Sequence, residues 1–238
     1  MQPTGTVTVR QARRQDAREV MLALTRACLD EPVLRWVIPD ESARRARVAA
    51  WARWADEWVG GMLGSGVLLV AGRGSATVAG LSQWQLVTAD PAPPAHTPAQ
   101  PEPPAHQAPD HGPEQPGSAA PHAEDPALIE LVYGEYAPRM ALVNELIHPR
   151  RPRSRAYWHL QQMVVVPEQR GHGLGGAMLR HQLDQADAAG IGTYLEASSP
   201  RSQALYERHG FRPHGEPIRL PDDGPVLQPM WRAAPTGT

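Results

Sequence analysis

The residues best suited to chemistry lie in one short run, Val166-Pro167-Glu168-Gln169-Arg170-Gly171-His172-Gly173-Leu174-Gly175-Gly176. A strand pattern from Tyr157 to Val166 ends at Pro167. A helix pattern from Gly173 to Ala189 follows, with Leu174, Ala177, Met178, Leu183 and Ala186 on one face. A helix start leaves its first four N–H groups without partners, and the aligned peptide dipoles favour negative charge there. Glycines allow close approach of an anion, so the run has the composition of a phosphate cradle. A chain without lysine cannot carry the Gly-Lys-Ser/Thr of a P-loop. Small residues needed only for close packing would look similar, so the turn alone leaves both readings open.

A second run, Leu195-Glu196-Ala197-Ser198-Ser199-Pro200-Arg201-Ser202-Gln203-Ala204-Leu205-Tyr206-Glu207-Arg208-His209-Gly210-Phe211, narrows them. Arg170 to Gly175 matches the [Arg/Gln]-x-x-Gly-x-[Gly/Ala] signature of the GNAT superfamily of N-acetyltransferases. Ala204-Leu205-Tyr206 with Gly210-Phe211 resembles that family's second signature. The match spans Tyr157 to His214, about a quarter of the chain. A looser similarity to puromycin N-acetyltransferase-like antibiotic-resistance enzymes extends over two N-terminal helices, Tyr133 to Met140, and Gly224 to Trp231.

The resemblance implies an α/β (α+β) acyl-CoA N-acyltransferase fold, a mixed, mostly antiparallel sheet flanked by helices. It also implies acetyl-CoA as co-substrate and transfer to a primary amine of a small molecule, an antibiotic or aminonucleoside, by direct attack. On the same basis the backbone of Met163, Val164 and Val165 pairs with the pantetheine arm. The amides of Arg170, Gly171, His172, Gly173, Leu174, Gly175 and Gly176 hold the pyrophosphate, and an amide of Val164 or Val165 polarises the thioester carbonyl. Ser202, a cofactor-binding position by the same resemblance, stands where the family usually has asparagine, and its shorter side chain reaches less far towards that cofactor hydrogen bond.

Tyr206 matches the family's general acid for the leaving sulfur. A phenol, at about 10, is close enough to a thiol, at about 8.5, for that proton transfer. A tyrosine merely packed in a short helix is the competing reading. Glu196, on the strand beside the cofactor strand, is the first candidate base for an amine that arrives protonated. His159 is the second, and water the third. An ion pair between Glu196 and Arg155 or Arg201 is the structural alternative. Trp36, Trp84, Tyr133, Tyr136 and Trp158, with His159, are candidates to line the acceptor site, although aromatics of this kind more often sit in cores.

The elements that must position these groups fit one domain over 1–238. Thr6 to Arg10 reads as a strand, with a helix capped by Asp16 running to Leu29. A second helix is expected from Pro39-Asp40 to Gly60-Gly61, and paired strands over Val67 to Ala71 and Thr77 to Val87. Residues 90–126 hold twelve prolines and four histidines and none of Val, Ile, Leu, Met, Phe, Trp or Tyr, so they read as a disordered insertion. Metal binding by His96, His106, His111 and His122, or docking of Pro101 to Pro104 on an SH3-like partner, are secondary readings of that stretch. Leu128 to Ile147 reads as one helix or two, broken at Gly134 and Pro138. After Gly190 come a strand (Thr193 to Ala197), a short helix (Pro200 to Arg208), and Phe211 to His214 paired with Val226 to Arg232.

Composition sets the outer bounds. A net charge of -2 gives no reason to expect nucleic acid or a membrane as partner. A single cysteine, Cys28, excludes an intrachain disulfide and a Cys-rich metal site, and its apolar surroundings suit a buried hydrophobe. No signal segment or membrane span is visible, so a cytoplasmic enzyme is expected, with no metal and with a homodimer left open. Two other readings remain at this point: a CoA-binding module without catalysis, and an acetyltransferase acting on a protein or peptide.

Overall fold

The computed structural model describes residues 5–74, 78–88, 126–153 and 155–235. The Pro-rich stretch, with the metal and SH3 readings placed on it, lies outside them except for Pro126, which opens a helix.

The chain begins with β1 (Val7–Gln11) and, after a 3-10 turn at Arg14–Asp16, α1 (Ala17–Cys28). Helix α1 buries Val20, Met21, Ala23, Leu24, Ala27 and Cys28, the stripe its periodicity predicts. Asp16 does not cap it. The Asp16 carboxylate accepts from Arg13 N–H at 2.7 Å and from Arg10 at 2.6 and 2.8 Å, closing the preceding turn instead. A short helix absent from the sequence reading follows, α2 (Pro32–Val37). Its start is set by Pro32 and by the Glu31 carboxylate, which accepts from Leu34 N–H at 2.8 Å.

The expected helix from Asp40 to Gly61 is three pieces: α3 (Glu41–Ala50), a 3-10 turn at Trp51–Trp54, and α4 (Ala55–Ser65). Asp40 does cap α3, through Ala43 N–H at 2.7 Å. The break falls where Trp51 leaves the helical stripe to donate to Val132 O at 3.2 Å and meet Tyr133 edge-on. The helix passes through Gly60 and Gly61 and stops at Gly66, where a Cβ would lie 2.0 Å from Trp84 O.

Strands β2 (Val67–Arg73) and β3 (Gly80–Val87) form the expected antiparallel pair. Beyond the insertion, α5 (Pro126–Tyr133) and α6 (Ala137–Ile147) are separated by a 3-10 turn, with Gly134 at φ 57 where β-carbons are disfavoured. Then come β4 (Tyr157–Val165), α7 (Leu174–Ala188), β5 (Gly192–Ala197), α8 (Pro200–Glu207), β6 (Arg212–Pro213), β7 (Ile218–Arg219) and β8 (Val226–Arg232).

The strands form one sheet in the order β1-β2-β3-β4-β5-β8-β6, with β7 paired to β8. Strand β8 inserts between β5 and β6, so the expected hairpin partner of Phe211 to His214 also pairs with β5. Every pairing is antiparallel except β4 with β5. Helix α7 lies across β1 to β5, and α1 packs on β3 and β4. Leu195 and Ala197 share a core with Leu179 and Leu183 of α7 and with Tyr206 and Phe211. By strand alternation Tyr194 and Glu196 therefore face away from α7 and α8. This is the GNAT fold. Among the described residues no helix is long and apolar enough to cross a membrane, and no cluster of His, Cys, Asp or Glu suits a metal ion.

Candidate active site

The site begins with a failure of strand pairing. Strands β4 and β5 pair in parallel from Tyr157 with Gly192 to Leu160 with Leu195, and there the ladder ends. Beyond Leu195, β5 continues against β8, while β4 runs on to Val165 against β3 alone. A bulge opposite Gln83 and Trp84 bends β4 at this point, as bulges do beside functional sites. Gln161 to Val165 thus presents a main-chain edge that no strand covers on the β5 side.

The opening leads into a cavity of about 660 Å³. Its walls include Met163, Val164 and Val165 of β4, Gly171 and Gly173 to Gly176 of the turn, and Ser198, Ser202 and Tyr206 from the β5–α8 side. Gly171 and Gly173 hold φ angles of 80 and 87, a region open mainly to glycine. A Cβ added to either meets nothing within 4 Å, so the turn faces open space rather than neighbouring side chains. The first amide to bond back along α7 is Ala177 N–H, to Gly173 O at 2.9 Å. The preceding N–H groups are left at the mouth of a fifteen-residue helix, with its dipole behind them. A bare strand edge ending in an open amide cradle fits the pantetheine arm and diphosphate of acetyl-CoA, the co-substrate of GNAT acetyltransferases.

The Arg170 side chain has a part of its own, apart from the amide role that the resemblance implies. Its guanidinium donates to Val165 O at 3.0 Å, to Ala27 O at 3.0 Å, and to Asp30 in a two-pronged ion pair. It ties the turn to the end of α1 rather than offering its charge to an anion, and the carboxylate beside it raises its own basicity further. His172 is absent from the cavity wall; its carbonyl accepts from Arg73 at 2.8 Å. Ser202 lines the cavity, but its hydroxyl is taken up by the α8 cap, donating to Ser199 O at 2.9 Å.

Tyr206 is 6% exposed, edge-on to Phe211, with a face on the cavity. Burial, reinforced by the negative charge of Glu31 and Glu196, pushes its phenol well above the usual range, so it keeps its proton. Glu196 sits at the vertex where β4 and β5 part, one residue past the last pair. It accepts from His159 Nε2 at 2.9 Å and lies 3.8 Å from Arg151 Nε, not beside Arg155 or Arg201. Burial favours its neutral form, but His159, Arg151 and Tyr194 together outweigh this and hold the carboxyl below its usual range. Neither Glu196 nor His159 is part of the cavity wall.

The expected aromatic acceptor wall does not form there. Trp84 is fully buried, donating to Ser82 at 3.0 Å, and Trp36 donates to Pro221 O at 2.9 Å beneath Arg139. Trp158 packs on the second core, Tyr133 stands edge-on to Trp51, and Tyr136 packs on the main core. The residue missed by sequence reasoning is Glu31. It lines the cavity, and burial raises its carboxyl above the usual range against the opposing hydrogen bonds from Leu34 N–H and the Ser198 hydroxyl. Asp30-Glu31-Pro32 goes unmarked in the sequence, because neither the short helix it opens nor the cavity it faces leaves a periodic signal.

Comparison with known proteins agrees with this geometry. Residues 141–213 match the family model of the acetyltransferase (GNAT) domain. Over 76 residues the chain is 36% identical to glucosamine 6-phosphate N-acetyltransferase of Trypanosoma brucei brucei, covering 32% of this chain and about half, 52%, of that relative. Among solved structures it resembles a histone acetyltransferase HPA2-related acetyltransferase of Corynebacterium glutamicum, with TM-score 0.62 and 20% identity over 98% of this chain and 99% of that one. It also resembles arylalkylamine N-acetyltransferase 2 of Aedes aegypti, with TM-score 0.58 and 11% identity over 97% and 100%. Residues 141–213 are thus similar to the GNAT acetyltransferase domain, and the sheet that holds them has the GNAT fold.

Proposed function

We propose that this protein is an acetyl-CoA-dependent N-acetyltransferase that acetylates the primary amine of a small molecule. The observation that carries the reading is the parting of β4 from β5 directly above an open glycine turn, with the protonated Tyr206 in the same cavity. Acetyl-CoA supplies an acetyl thioester, whose carbonyl carbon is the electrophile. The main chain of Met163 to Val165 aligns it, and the amide of Val164 or Val165 is the donor for the carbonyl oxygen.

Two carboxylates flank the reacting end. Glu31, in the cavity wall, takes a proton from the incoming ammonium, leaving a nitrogen lone pair free to attack. Glu196, held ionised beside His159 and Arg151, is a fixed negative charge at the vertex that favours a cationic acceptor. Tyr206 donates its phenolic hydrogen to the departing sulfur as the carbon–sulfur bond breaks. The amide nitrogen surrenders its second hydrogen to restore the phenol. The net release is one proton, handed from Glu31 to solvent.

The small-molecule assignment draws on that acidic wall and on the names of the relatives, which include a glucosamine 6-phosphate and arylalkylamine N-acetyltransferases. Thiol release from acetyl-CoA with a panel of primary amines tests it. Tyr206→Phe is expected to lower turnover about 10²- to 10⁴-fold with CoA binding retained. CoA binding without turnover on any amine would favour a non-catalytic module, and acetylated peptides without acetylated small amines would favour a protein acceptor.

A further inference from the structure

The cavity holds more positive charge than an amide cradle for a diphosphate requires. Arg180 of α7, Arg201 of α8, Arg208 and His209 all line it. Five other arginines are paired with carboxylates: Arg10 with Asp16, Arg26 with Glu168, Arg45 with Glu41, Arg170 with Asp30 and Arg232 with Asp187. Among the described residues Arg180, Arg201 and Arg208 have no such partner, and each is exposed to solvent.

Arg180 and His209 converge on the start of α7, and α8 brings two more cations to the same cavity. Gly176 lies in the first turn of α7, and a Cβ there would stand 3.4 Å from Arg180 Nη1 and 3.4 Å from His209 Nε2. The missing side chain is what lets both groups close over the helix start. The His209 ring is fixed in turn, its Nδ1–H donating to Leu205 O at 2.9 Å, which leaves Nε2 on the Gly176 side. Arg201 sits in the first turn of α8, directly after Pro200. A cation at a helix N-terminus opposes the dipole and is unfavourable unless an anion neutralises it. Arg208, at the other end of α8, is in its favoured place, so α8 carries positive charge at both ends along one cavity wall.

We infer that Arg180, Arg201 and Arg208 form a phosphomonoester site that recognises the 3′-phosphate of coenzyme A, separate from the amide cradle for the diphosphate. This rests on the acetyl-CoA reading of the cavity. A phosphomonoester carries close to two negative charges at neutral pH and accepts paired hydrogen bonds from guanidinium groups. The diphosphate, by contrast, is served by backbone N–H groups that substitutions at the three arginines leave in place.

Calorimetric titration of CoA and of 3′-dephospho-CoA into the wild type and into R180A, R201A, R208A and the triple variant tests the inference. The wild type is expected to prefer CoA by about 10- to 100-fold, the scale of one or two charged hydrogen bonds. The triple variant should lose that preference while binding dephospho-CoA within about threefold of the wild type, and the salt dependence of CoA binding should flatten. Because the three side chains are exposed, unchanged melting temperatures are expected and are checked alongside. Equal affinity of the wild type for both nucleotides overturns the inference and leaves the acetyl-CoA reading intact. So does an equal weakening of both nucleotides in the variants, which would assign the arginines to the diphosphate. Failure of the wild type to bind either nucleotide overturns the inference together with the reading beneath it.

Discussion

Leu160 and Leu195 are the last partners of the one parallel strand pair among the described residues, and the cavity opens immediately beyond them. Their side chains stay in one core, beside Leu179, Leu183 and Phe211, so the two strands are clamped on one side of the vertex and free on the other. Phe211 has no exposed surface, and Phe211→Ala would cost about 3 to 5 kcal/mol by opening that clamp. The site is thus a designed loss of pairing, stabilised by the core directly beneath it.

Arg170 is predicted to act as an anchor. Arg170→Ala removes donors to Val165 O, Ala27 O and Asp30 at once, and should cost about 1 to 3 kcal/mol of stability. CoA affinity should fall with it, because the turn is no longer held against α1. Arg170→Lys should recover only part of either loss, since an ammonium cannot span three acceptors in a plane. Thermal denaturation and calorimetry report the two effects separately.

Gly173 is predicted to be needed for its backbone, not for space. At φ 87, with open space around a would-be Cβ, Gly173→Ala introduces roughly 1 to 2 kcal/mol of strain without a clash. Relaxing that strain turns the amides at the α7 start, so CoA binding should weaken more than stability does. Gly190 has φ 65 and also meets nothing within 4 Å, but it lies at the far end of α7. Gly190→Ala is therefore the control that loses stability alone.

The pH profile separates the two carboxylates. Glu31 is raised by burial, so it gains its base form only as pH climbs past the ordinary carboxylate range, and kcat/KM should rise over that interval. Glu31→Gln keeps an acceptor for the α2 cap but should abolish this acid limb and lower the rate at neutral pH by about 10²-fold or more. Glu196, lowered by His159, is already ionised there, so Glu196→Gln should reduce the rate without moving the limb. An acid limb that survives Glu31→Gln and disappears in Glu196→Gln would reverse the roles.

Acid stability has its own marker in Asp16. Its carboxyl is held low by the hydrogen bond to Arg10, against the cost of burial and with help from Arg13 N–H. A depressed folded-state pKa contributes stability that is complete above the ordinary aspartate range and is lost as pH falls through the folded value. Asp16→Asn should therefore melt lower than wild type at neutral pH, by an amount worth about 1 to 3 kcal/mol. The two melting curves should converge as pH falls below the ordinary aspartate range. Differential scanning calorimetry across that range measures it.

Much of this was legible from residue order. The strand, the glycine turn and the helix from Tyr157 to Ala188 follow from periodicity and punctuation, and so does the paired β2–β3. What escaped depends on contacts across the chain. Asp16 was drawn off its cap by Arg10, Trp51 broke a helix to reach Val132, and Arg170 was claimed by Asp30, 140 residues away. The acceptor wall was the least legible part. Burial cannot be told from lining by residue type, so Trp84 looked like a contact and proved to be core. Glu31 was not singled out at all, and it both caps α2 and faces the cavity.

The most direct measurement is a crystal structure of the protein with bound acetyl-CoA. The account predicts the diphosphate on the amides from Gly171 to Gly176, the pantetheine arm along Met163 to Val165, and the sulfur within hydrogen-bond reach of Tyr206. A ligand bound elsewhere, or a β4 edge closed by β5 with Tyr206 remote from the thioester, would contradict it.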